Sequence, residues 1–574
     1  MFIFQSSDWV PSQEIRTTFG LLKFSNFAME LVRAGISART GAALVNALLI
    51  DLKEFFIDII QDNFNVILAD KCKIDRAMKK VRTESETKSK ETRGDSLVCI
   101  GVDGKIDMTK CYEGKNLNRA TKTEHHIVFT DETKRPGSYI SHATLKGKAT
   151  GKAEAEATYD VLDEFGSLDS VKAILLDNTA TNTGRFKGLV ACLERKLERG
   201  VHLLGCALHS NEIPLRTLFK MLDGVTTGPK QFSGPIGKKL SPTPKTKKCK
   251  SNKAKTKKSR GKKAKAAKET LKNQDDTQKD VDLHMKPQVK FECIDLFDIT
   301  LEAKVLKDLS RDQRLLYEYC RGIRTGEIAG NWANHRIGPL NHARWLTLAI
   351  RILALYTRES CPSQNLVLLV KFIMGVYAPT WFRIKQSSQQ KDLPGIILKA
   401  IEAMKVVLPD EHQEPIIRSL TRNSYSLLPD NFLYCMLMHE DENIRHCAIR
   451  RILSIRKGKK AALGNRLFIP SVNTNANVWM DLINWRDAQY EPASTCDISD
   501  DELLAALGTG SKKLNLPYLP SHSQSVERAI KLVSYASRLV YGFERRHQTI
   551  LTILSSRKSR PQFTTKKRYR HFNL

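Results

Sequence analysis

The spacing of apolar residues changes several times along the chain, and each change predicts a different kind of element. Residues 1–92 have the spacing of polar helices, although their last part, 71–90, is so charged that it indicates a connector. The apolar run 97–102 is rich in β-branched residues and precedes an Asp-Gly pair, which predicts a strand that ends in a turn. Further strands are predicted over 125–129 and 139–145, so the three indicate an antiparallel meander.

Helices alternate with apolar runs after this meander. A helix is predicted over 152–165, then a strand over 171–176, a helix over 186–199 and a strand over 201–205. The run 171–176 is nearly all apolar, as in a strand that is covered on both faces. The order βββ-α-β-α-β predicts an α/β fold with a mixed sheet, and it is the core topology of ribonuclease H-like nucleases.

The rest of the chain divides into a linker, a helical block and a last helix. Residues 224–290 are dominated by Pro, Gly, Ser and Lys, which predicts disorder because so few apolar groups cannot offset the entropy of ordering. Helical spacing follows, with a capping box at Ser310 and Gln313. A helix with one apolar face is predicted over 525–541, ahead of a basic tail. The candidate helices of the block are 311–324, 341–357, 364–377, 394–406 and 442–456.

The charge of the chain predicts a polyanionic partner. The 574 residues include 93 Lys and Arg against 62 Asp and Glu, a formal net charge of +31. Such a charge binds phosphate backbones by releasing counterions, so double-stranded DNA is the expected partner. A basic run over 245–268 resembles a nuclear localisation signal, which predicts a nuclear protein and a nuclear import receptor as a second partner. The same run supplies candidate DNA-binding residues: Lys247, Lys248, Lys257, Lys258, Lys262 and Lys263.

The sequence argues against several other classes of protein. The most apolar stretch, 366–378, is interrupted by Lys371 and is shorter than the roughly 20 residues that cross a bilayer, so no membrane partner is expected. The first residues lack the basic and apolar segments of a signal peptide, which predicts an intracellular protein. The 12 cysteines include no CxxC pair, which argues against a zinc ribbon and a secreted disulfide framework.

Two aspartates stand where apolar strands are predicted to end. Asp103 and Asp177 follow the first and fourth strands, which lie side by side in a ribonuclease H-like sheet. Two close carboxylates repel each other unless divalent cations lie between them, and a pair of such cations clamps the oxygens of a phosphodiester. Each aspartate has an alternative role in a turn or in capping the next helix, and Asp107 is an alternative to Asp103.

Four short elements resemble signatures of hAT-superfamily DNA transposases. The segment 177–182, Asp-Asn-Thr-Ala-Thr-Asn, is similar to their Asp-Asn-Ala-x-Asn signature, and 206–209, Cys-Ala-Leu-His, is similar to their Cys-x-x-His element. The pair 344–345, Arg-Trp, resembles the pair in their helical insertion domain. The segment 523–528, Ser-Gln-Ser-Val-Glu-Arg, is similar to the element that opens their last helix and carries the third catalytic acid.

The resemblance implies a discontinuous catalytic domain. The ribonuclease H-like sheet in 93–223 would be followed by the disordered basic linker 224–290 and interrupted by a large all-helical insertion in 291–515. The final core helix and the basic tail would lie in 516–574. An N-terminal helical region, 1–92, precedes the sheet and shows no BED-type zinc finger, the usual end-recognition module of this family.

The resemblance also implies an active site. Asp103, Asp177 and Glu527 would hold Mg²⁺ or Mn²⁺ and would cleave DNA strands and transfer them. Glu212 is the alternative third acid, because its spacing from Asp177 resembles that in mariner-type transposases and retroviral integrases. Pro214 favours Glu527 instead, because proline prefers the first turn of a helix and would place Glu212 just before it.

Several alternatives stay open at the level of sequence. Cys206 and His209 are either half of a zinc site, a local polar pair at the strand end, or packing residues. Arg344 is a candidate phosphate contact or an ion-pair partner, and Trp345 either stacks on DNA or packs in a core. The chain is either an active transposase or a catalytically inactive, domesticated nuclear protein that binds DNA or other proteins. A homo-oligomer is also left open.

Overall fold

The computed structural model describes residues 24–51, 69–91, 96–113, 116–134, 136–228, 231–240, 289–338, 340, 345–458, 466–488, 493, 498–508, 513–522 and 524–559. In this part of the chain the protein is a mixed α/β fold in which many helices surround one five-stranded sheet. The α/β class predicted from the sequence is therefore confirmed.

In the described parts of the N-terminal region, 24–51 and 69–91, three helices precede the sheet, and the third corrects a prediction. They are α1 Ser25–Ala34, α2 Ala38–Asp51 and α3 Lys71–Glu91. The connector predicted over 71–90 is wrong, because this segment forms α3. Ile74, Met78 and Val81 recur at the spacing of one helical face and are buried against the first two helices.

The sheet contains an antiparallel meander followed by two parallel strands. Its strands are β1 Cys99–Glu113, β2 Asn118–Asp131, β3 Ser138–Leu145, β4 Ala173–Leu176 and β5 His202–Gly205. Their order across the sheet is β3-β2-β1-β4-β5, with β1 paired antiparallel to β2 and parallel to β4. The predicted meander and the mixed sheet are both confirmed.

The first strand is longer than predicted. The turn expected at Asp103 and Gly104 is wrong, because β1 pairs with β2 along its whole length and continues to Glu113. Beyond Asp103 its side chains alternate, so that Ile106 is exposed and Asp107 is buried. The end of the apolar run marks the point where the strand leaves the core.

Helices alternate with the parallel strands. The helices predicted over 152–165 and 186–199 form α4 Gly151–Glu164 and, after the short α5 Ala180–Thr183, α6 Leu189–Leu197, and α7 Ala207–Asp223 follows β5. Thr150 caps α4 by accepting a hydrogen bond from the backbone of Ala153, and Gly166, at a φ of 57°, allows the chain to turn after it. The apolar faces of α4 and α6 are buried against the sheet.

The disorder predicted from Gly224 onward is wrong for the first residues of that segment. A short hairpin, β6 Thr226–Gly228 and β7 Gln231–Phe232, leads to the helix α8 Pro235–Leu240. Phe232 packs edge-to-face on Phe219, and the Asp223 carboxylate accepts hydrogen bonds from two backbone N–H groups of α8. These contacts hold a segment whose composition alone indicates disorder. Residues 241–288, with the six candidate lysines, lie outside the described residues.

The helical block confirms the predicted helices and adds others. Ser310 and Gln313 form the predicted capping box. Its helices are α9 Ala303–Asp308, α10 Arg311–Thr325, α11 Gly330–Ala333, α12 Trp345–Tyr356, α13 Gln364–Phe372, a π turn Ile373–Tyr377, α14 Ala378–Ser387, α15 Leu393–Val407, α16 Asp410–Thr421, α17 Pro429–Leu437, α18 Glu442–Lys457 and α19 Asp500–Ala505.

One helix of this block is longer than the apolar stretch predicts. From α13 through the π turn to α14 the helix is continuous over Gln364–Ser387, 24 residues. By length and composition it could cross a membrane, so the prediction that the stretch is too short is wrong. Of its 18-residue apolar window, 72% is buried inside the protein, which is typical of a core helix.

Two helices follow the block. The first, α20 Ser525–Leu539, is the predicted last helix and packs on the meander. The second, α21 Phe543–Ser559, was not predicted, and it packs against α1 and α3. There Gln548 donates a hydrogen bond to Glu86 at 2.9 Å. The N-terminal helices are therefore attached to the sheet through α21.

Buried polar contacts join the helical block to the sheet at β5. The His202 ring donates a hydrogen bond from Nδ1 to Oδ1 of Asn431, on α17, at 2.6 Å. Arg466 forms ion pairs with Glu194 of α6, at 2.5 Å, and with Asp430 of α17. Breaking a buried ion pair is costly because the remaining charge stays unpaired, so these contacts fix the block on the sheet.

The buried His202 predicts a measurable pH dependence of stability. Burial lowers the pKa of His202 to about 3, whereas an unfolded histidine has a pKa of about 6.5. Below pH 6.5 the unfolded state therefore binds a proton that the folded state does not. Between pH 7 and pH 5, we expect the wild type to lose about 2 kcal/mol of unfolding free energy relative to His202→Gln. Urea unfolding at both pH values measures this, and parallel profiles would contradict it.

Candidate active site

Asp103 and Asp177 lie at matching positions on neighbouring strands. The strands β1 and β4 are parallel, and their last paired residues are Gly101 and Leu175. Each aspartate follows its paired residue by two positions, so both side chains point to the same face of the sheet. The structure thus brings the two predicted carboxylates together, with Asp103 inside β1 rather than at its end.

The helix α20 crosses β1 at Gly101, and this contact brings a third carboxylate to the aspartates. A Cβ atom at position 101 would lie 2.6 Å from Val526 and 2.4 Å from Thr130, so glycine is required there for the helix to approach. Glu527 follows Val526 in the first turn of α20. One small cleft is lined by Val102, Asp103, Leu175, Leu176, Asp177, Cys206, His209, Val526 and Glu527.

Residues after β4 fix the carboxylate of Asp177. Its Oδ1 accepts hydrogen bonds from the Thr179 backbone N–H at 3.1 Å, the Thr179 hydroxyl at 2.8 Å and the Asn182 amide at 2.5 Å. Asn178 instead donates to the Ser210 hydroxyl at 2.8 Å and to the Asn423 carbonyl at 3.2 Å. The polar residues after Asp177 therefore position it and tie β4 to α7 and to the helical block, which the sequence alone did not reveal.

Burial and neighbouring charge make two carboxyl groups near the cleft, those of Asp103 and Glu154, weaker acids. Burial, followed by the charges of Asp177 and Glu527, raises the pKa of Asp103 to about 6. Burial, followed by the two aspartates, also raises the pKa of Glu154, on α4, to about 7. Glu154 was missed by the sequence reasoning. Its only signal is a spacing of seven residues from Val161, which places it on the buried face of α4.

The alternative acid, Glu212, lies inside α7. The helix start predicted at Pro214 is wrong, because α7 begins at Ala207 and continues through Pro214. The helix packs its apolar face in the core of the helical block, which outweighs the lost backbone hydrogen bond. Burial, with a smaller effect of Glu527, raises the pKa of Glu212 to about 7 against the opposing effect of His209. Of the described residues, Glu527 lines the cleft with both aspartates, and Glu212 lies beside His209.

Cys206 and His209 stand one turn apart at the start of α7. The sulfur of Cys206, then the carboxylates of Glu212 and Asp177, raise the pKa of His209 against the effect of burial, so its ring carries a proton near neutral pH. Within the described residues, no group of three or more His, Cys, Asp or Glu side chains is arranged to hold a metal ion. The carboxylates of the cleft are thus close to one another, but they do not surround a single point as the ligands of one metal ion do.

Two other candidates, Asp107 and Trp345, do not line this cleft. Asp107, the alternative to Asp103, accepts a hydrogen bond from Arg538 at 3.0 Å. Although burial acts to raise the pKa of Asp107, hydrogen bonds from Ser534 and Arg538 hold it below its usual range. Trp345 is 4% exposed and packs on Phe219, so its prediction as a DNA contact is wrong. Arg344 lies outside the described residues.

Comparison with protein-family models gives no match for this chain, and comparison with curated proteins gives none either. Function is therefore inferred from the cleft, the sheet and the charge of the chain.

The contact at Gly101 predicts a selective effect of alanine. We expect Gly101→Ala to lower the free energy of unfolding by about 1–3 kcal/mol, because its methyl group would overpack the contact between β1 and α20. Gly330→Ala is the matched control, since nothing lies within 4 Å of a Cβ there. Urea unfolding of both variants measures the difference. If alanine changes the free energy of unfolding by the same amount at both positions, α20 does not lie this close to β1.

Proposed function

We propose that the protein is a transposase-derived DNA-binding protein with a ribonuclease H-like core, and that it cleaves DNA strands and transfers them. One observation carries this proposal: carboxylates from three distant segments line one cleft. Asp103 comes from β1, Asp177 follows β4, and Glu527 opens α20, beyond the whole helical block. Carboxylates that share one small cleft repel one another and disfavour folding, so their presence together favours a functional role.

The sheet supports the ribonuclease H-like part of the proposal. Three antiparallel strands followed by two parallel strands on the other side of β1 match the topology of such cores. A last helix, α20, packs on this sheet after an interruption by helices. The resemblance of 177–182, 206–209 and 523–528 to hAT transposase elements gives the proposal its reaction class.

The donor set suits a hard divalent cation. Carboxylate oxygens are the ligands that Mg²⁺ and Mn²⁺ prefer. Burial and, after it, the neighbouring carboxylates raise the pKa of Asp103, and a cation among the carboxylates would relieve their repulsion. Asp103, Asp177 and Glu527 would hold the metal. When bound there, the metal would polarise the phosphodiester and lower the pKa of a water nucleophile.

The neighbouring side chains prepare the cleft for a phosphodiester. Thr179 and Asn182 hold the Asp177 carboxylate in one orientation before any ligand binds. The protonated His209 ring lies at the same cleft and supplies a hydrogen-bond donor and a positive charge for a phosphate oxygen.

The proposed partners follow from charge and composition. A net charge of +31 suits double-stranded DNA, and the basic run in 245–268 suits a nuclear import receptor. The protein would then act in the nucleus.

A second candidate is a catalytically inactive, domesticated relative that keeps the fold and the DNA binding. The observation that favours it is the absence, among the described residues, of a metal-binding arrangement of three side chains. In that case the cleft would keep its carboxylates but would bind no cation, and the protein would still bind DNA.

Nicking of supercoiled plasmid separates the two candidates. In Mn²⁺ we expect the wild type to nick, and Asp177→Asn and Glu527→Gln to lose activity by about 100-fold or more, because each removes a metal ligand. Glu212→Gln is the control and should keep its activity. Loss in Glu212→Gln with retention in Glu527→Gln would assign the third ligand to Glu212 instead, and a wild type without nicking would leave the inactive candidate.

Salt dependence tests the DNA-binding part. We expect the logarithm of the affinity for a duplex oligonucleotide to fall linearly with the logarithm of salt concentration, with a slope of about −4 or steeper, because each phosphate contact contributes about −0.9. Fluorescence anisotropy between 50 and 200 mM salt measures it. An affinity that does not change with salt would contradict both candidates.

A further inference from the structure

The helix α20 also lines a second, much larger groove. This groove has a volume of about 890 Å³ and is formed by α3, the loop between β2 and β3, α20 and α21. It is therefore built where the N-terminal helices and the helix α21 meet the sheet. Its size is that of a ligand-binding site rather than of a packing defect.

The charged side chains of the groove are mostly cationic, and they stand beside an apolar surface that includes Ile140, Leu532 and Leu551. Lys88, Arg528, Arg557 and Lys558 line the groove, against one carboxylate, that of Asp131. The Oδ1 atom of Asp131 already accepts a hydrogen bond from the backbone of Thr133. Arg528, Arg557 and Lys558 are exposed, so their charges are accessible to a ligand.

Hydroxyl groups accompany the cations. Five serines line the groove, and Ser525 among them begins α20. The N-terminal end of this helix carries the positive end of its dipole, which adds to the favourable potential for an anion. Cations with hydroxyl donors at a helix start are the donor types that recognise phosphate.

We propose that this groove binds the phosphate backbone of the DNA strand that leads to the acidic cleft. The inference rests on the proposed function and extends it to a second surface. Its position carries the assignment, because the first turn of α20 lines both sites: Arg528 lines the groove and Glu527 lines the acidic cleft. A strand held by Arg528, Arg557 and Lys558 would therefore run past the carboxylates.

The same position explains why the N-terminal helices dock on α21. Lys88 belongs to α3, whereas Arg557 and Lys558 end α21, so the cationic rim is complete only when these helices are packed together. Gln548 and Glu86 hold that packing by a hydrogen bond of 2.9 Å. The N-terminal region thus contributes to DNA binding without a zinc finger.

The test compares charge-neutral variants of the full chain. Arg557→Gln with Lys558→Gln removes two rim cations that lie outside the acidic cleft, and Lys88→Gln removes a third from a different helix. Lys304→Gln with Lys307→Gln, both exposed on α9, is the control with the same loss of charge. The probe is a fluorescein-labelled duplex oligonucleotide, titrated at 50 to 200 mM salt, and thermal unfolding checks that each variant is folded.

We expect the Arg557→Gln, Lys558→Gln variant to bind roughly tenfold more weakly at 50 mM salt and to lose about 2 from the magnitude of the salt slope. Lys88→Gln should reduce the magnitude of the salt slope by about 1. The α9 control should have the affinity and the salt slope of the wild type. If the groove variants bind DNA with the same affinity and salt slope as the α9 control, the groove proposal is overturned. The proposed function still stands in that case if the wild type nicks and binds DNA. If the wild type does not nick but the groove variants weaken DNA binding selectively, the groove proposal stands and cleavage fails.

Two further probes distinguish other anionic partners. Vesicles with phosphatidylserine and a poly-glutamate peptide are titrated against the same variants. If the groove variants weaken binding to either probe and leave DNA binding unchanged, the assignment to DNA is overturned in favour of that partner.

Discussion

The approach of α20 to β1 at Gly101 is the contact on which the whole site depends. The carboxylates of β1 and β4 are neighbours by strand register alone, but the third carboxylate belongs to a helix that follows hundreds of residues later. A side chain at position 101 would keep that helix away from the sheet. The missing Cβ at Gly101 therefore sets where Glu527 stands. Burial, and then the charges of Asp177 and Glu527, raise the pKa of Asp103, and a cation among the carboxylates would relieve the repulsion between them.

The helical block is held to the same sheet by buried polar contacts in addition to apolar packing, in which Leu428 and Leu467 join the core of the sheet. His202 and Asn431 join β5 to α17, and Arg466 bridges two carboxylates between α6 and the block. Asn178, next to Asp177, reaches the backbone of Asn423 in the block. Buried polar networks have little tolerance for displacement, because each unsatisfied member costs free energy. The position of Asp177 is thus coupled to the docking of the block, and a shift of one would disturb the other.

The sequence predicted the elements whose residues carry their own signal. The strand before Asp177 was found because its residues are apolar on both faces, and the capping box at Ser310 because two local hydrogen bonds define it. Features that depend on contacts with residues distant in the chain could not be predicted in this way. The strand β1 continues past Asp103 because β2 pairs with it, and α7 continues through Pro214 because the block covers it. Glu154 and α21 were missed for the same reason: their surroundings come from other segments.

The measurement that tests the central claim most directly is calorimetric titration of Mn²⁺ into the purified wild type and Glu527→Ala, with and without duplex DNA. The account predicts that the wild type binds Mn²⁺, that binding tightens when DNA is present, and that Glu527→Ala abolishes it while the protein stays folded. Unchanged Mn²⁺ binding by Glu527→Ala would contradict the claim that the returning helix completes the site begun by Asp103 and Asp177.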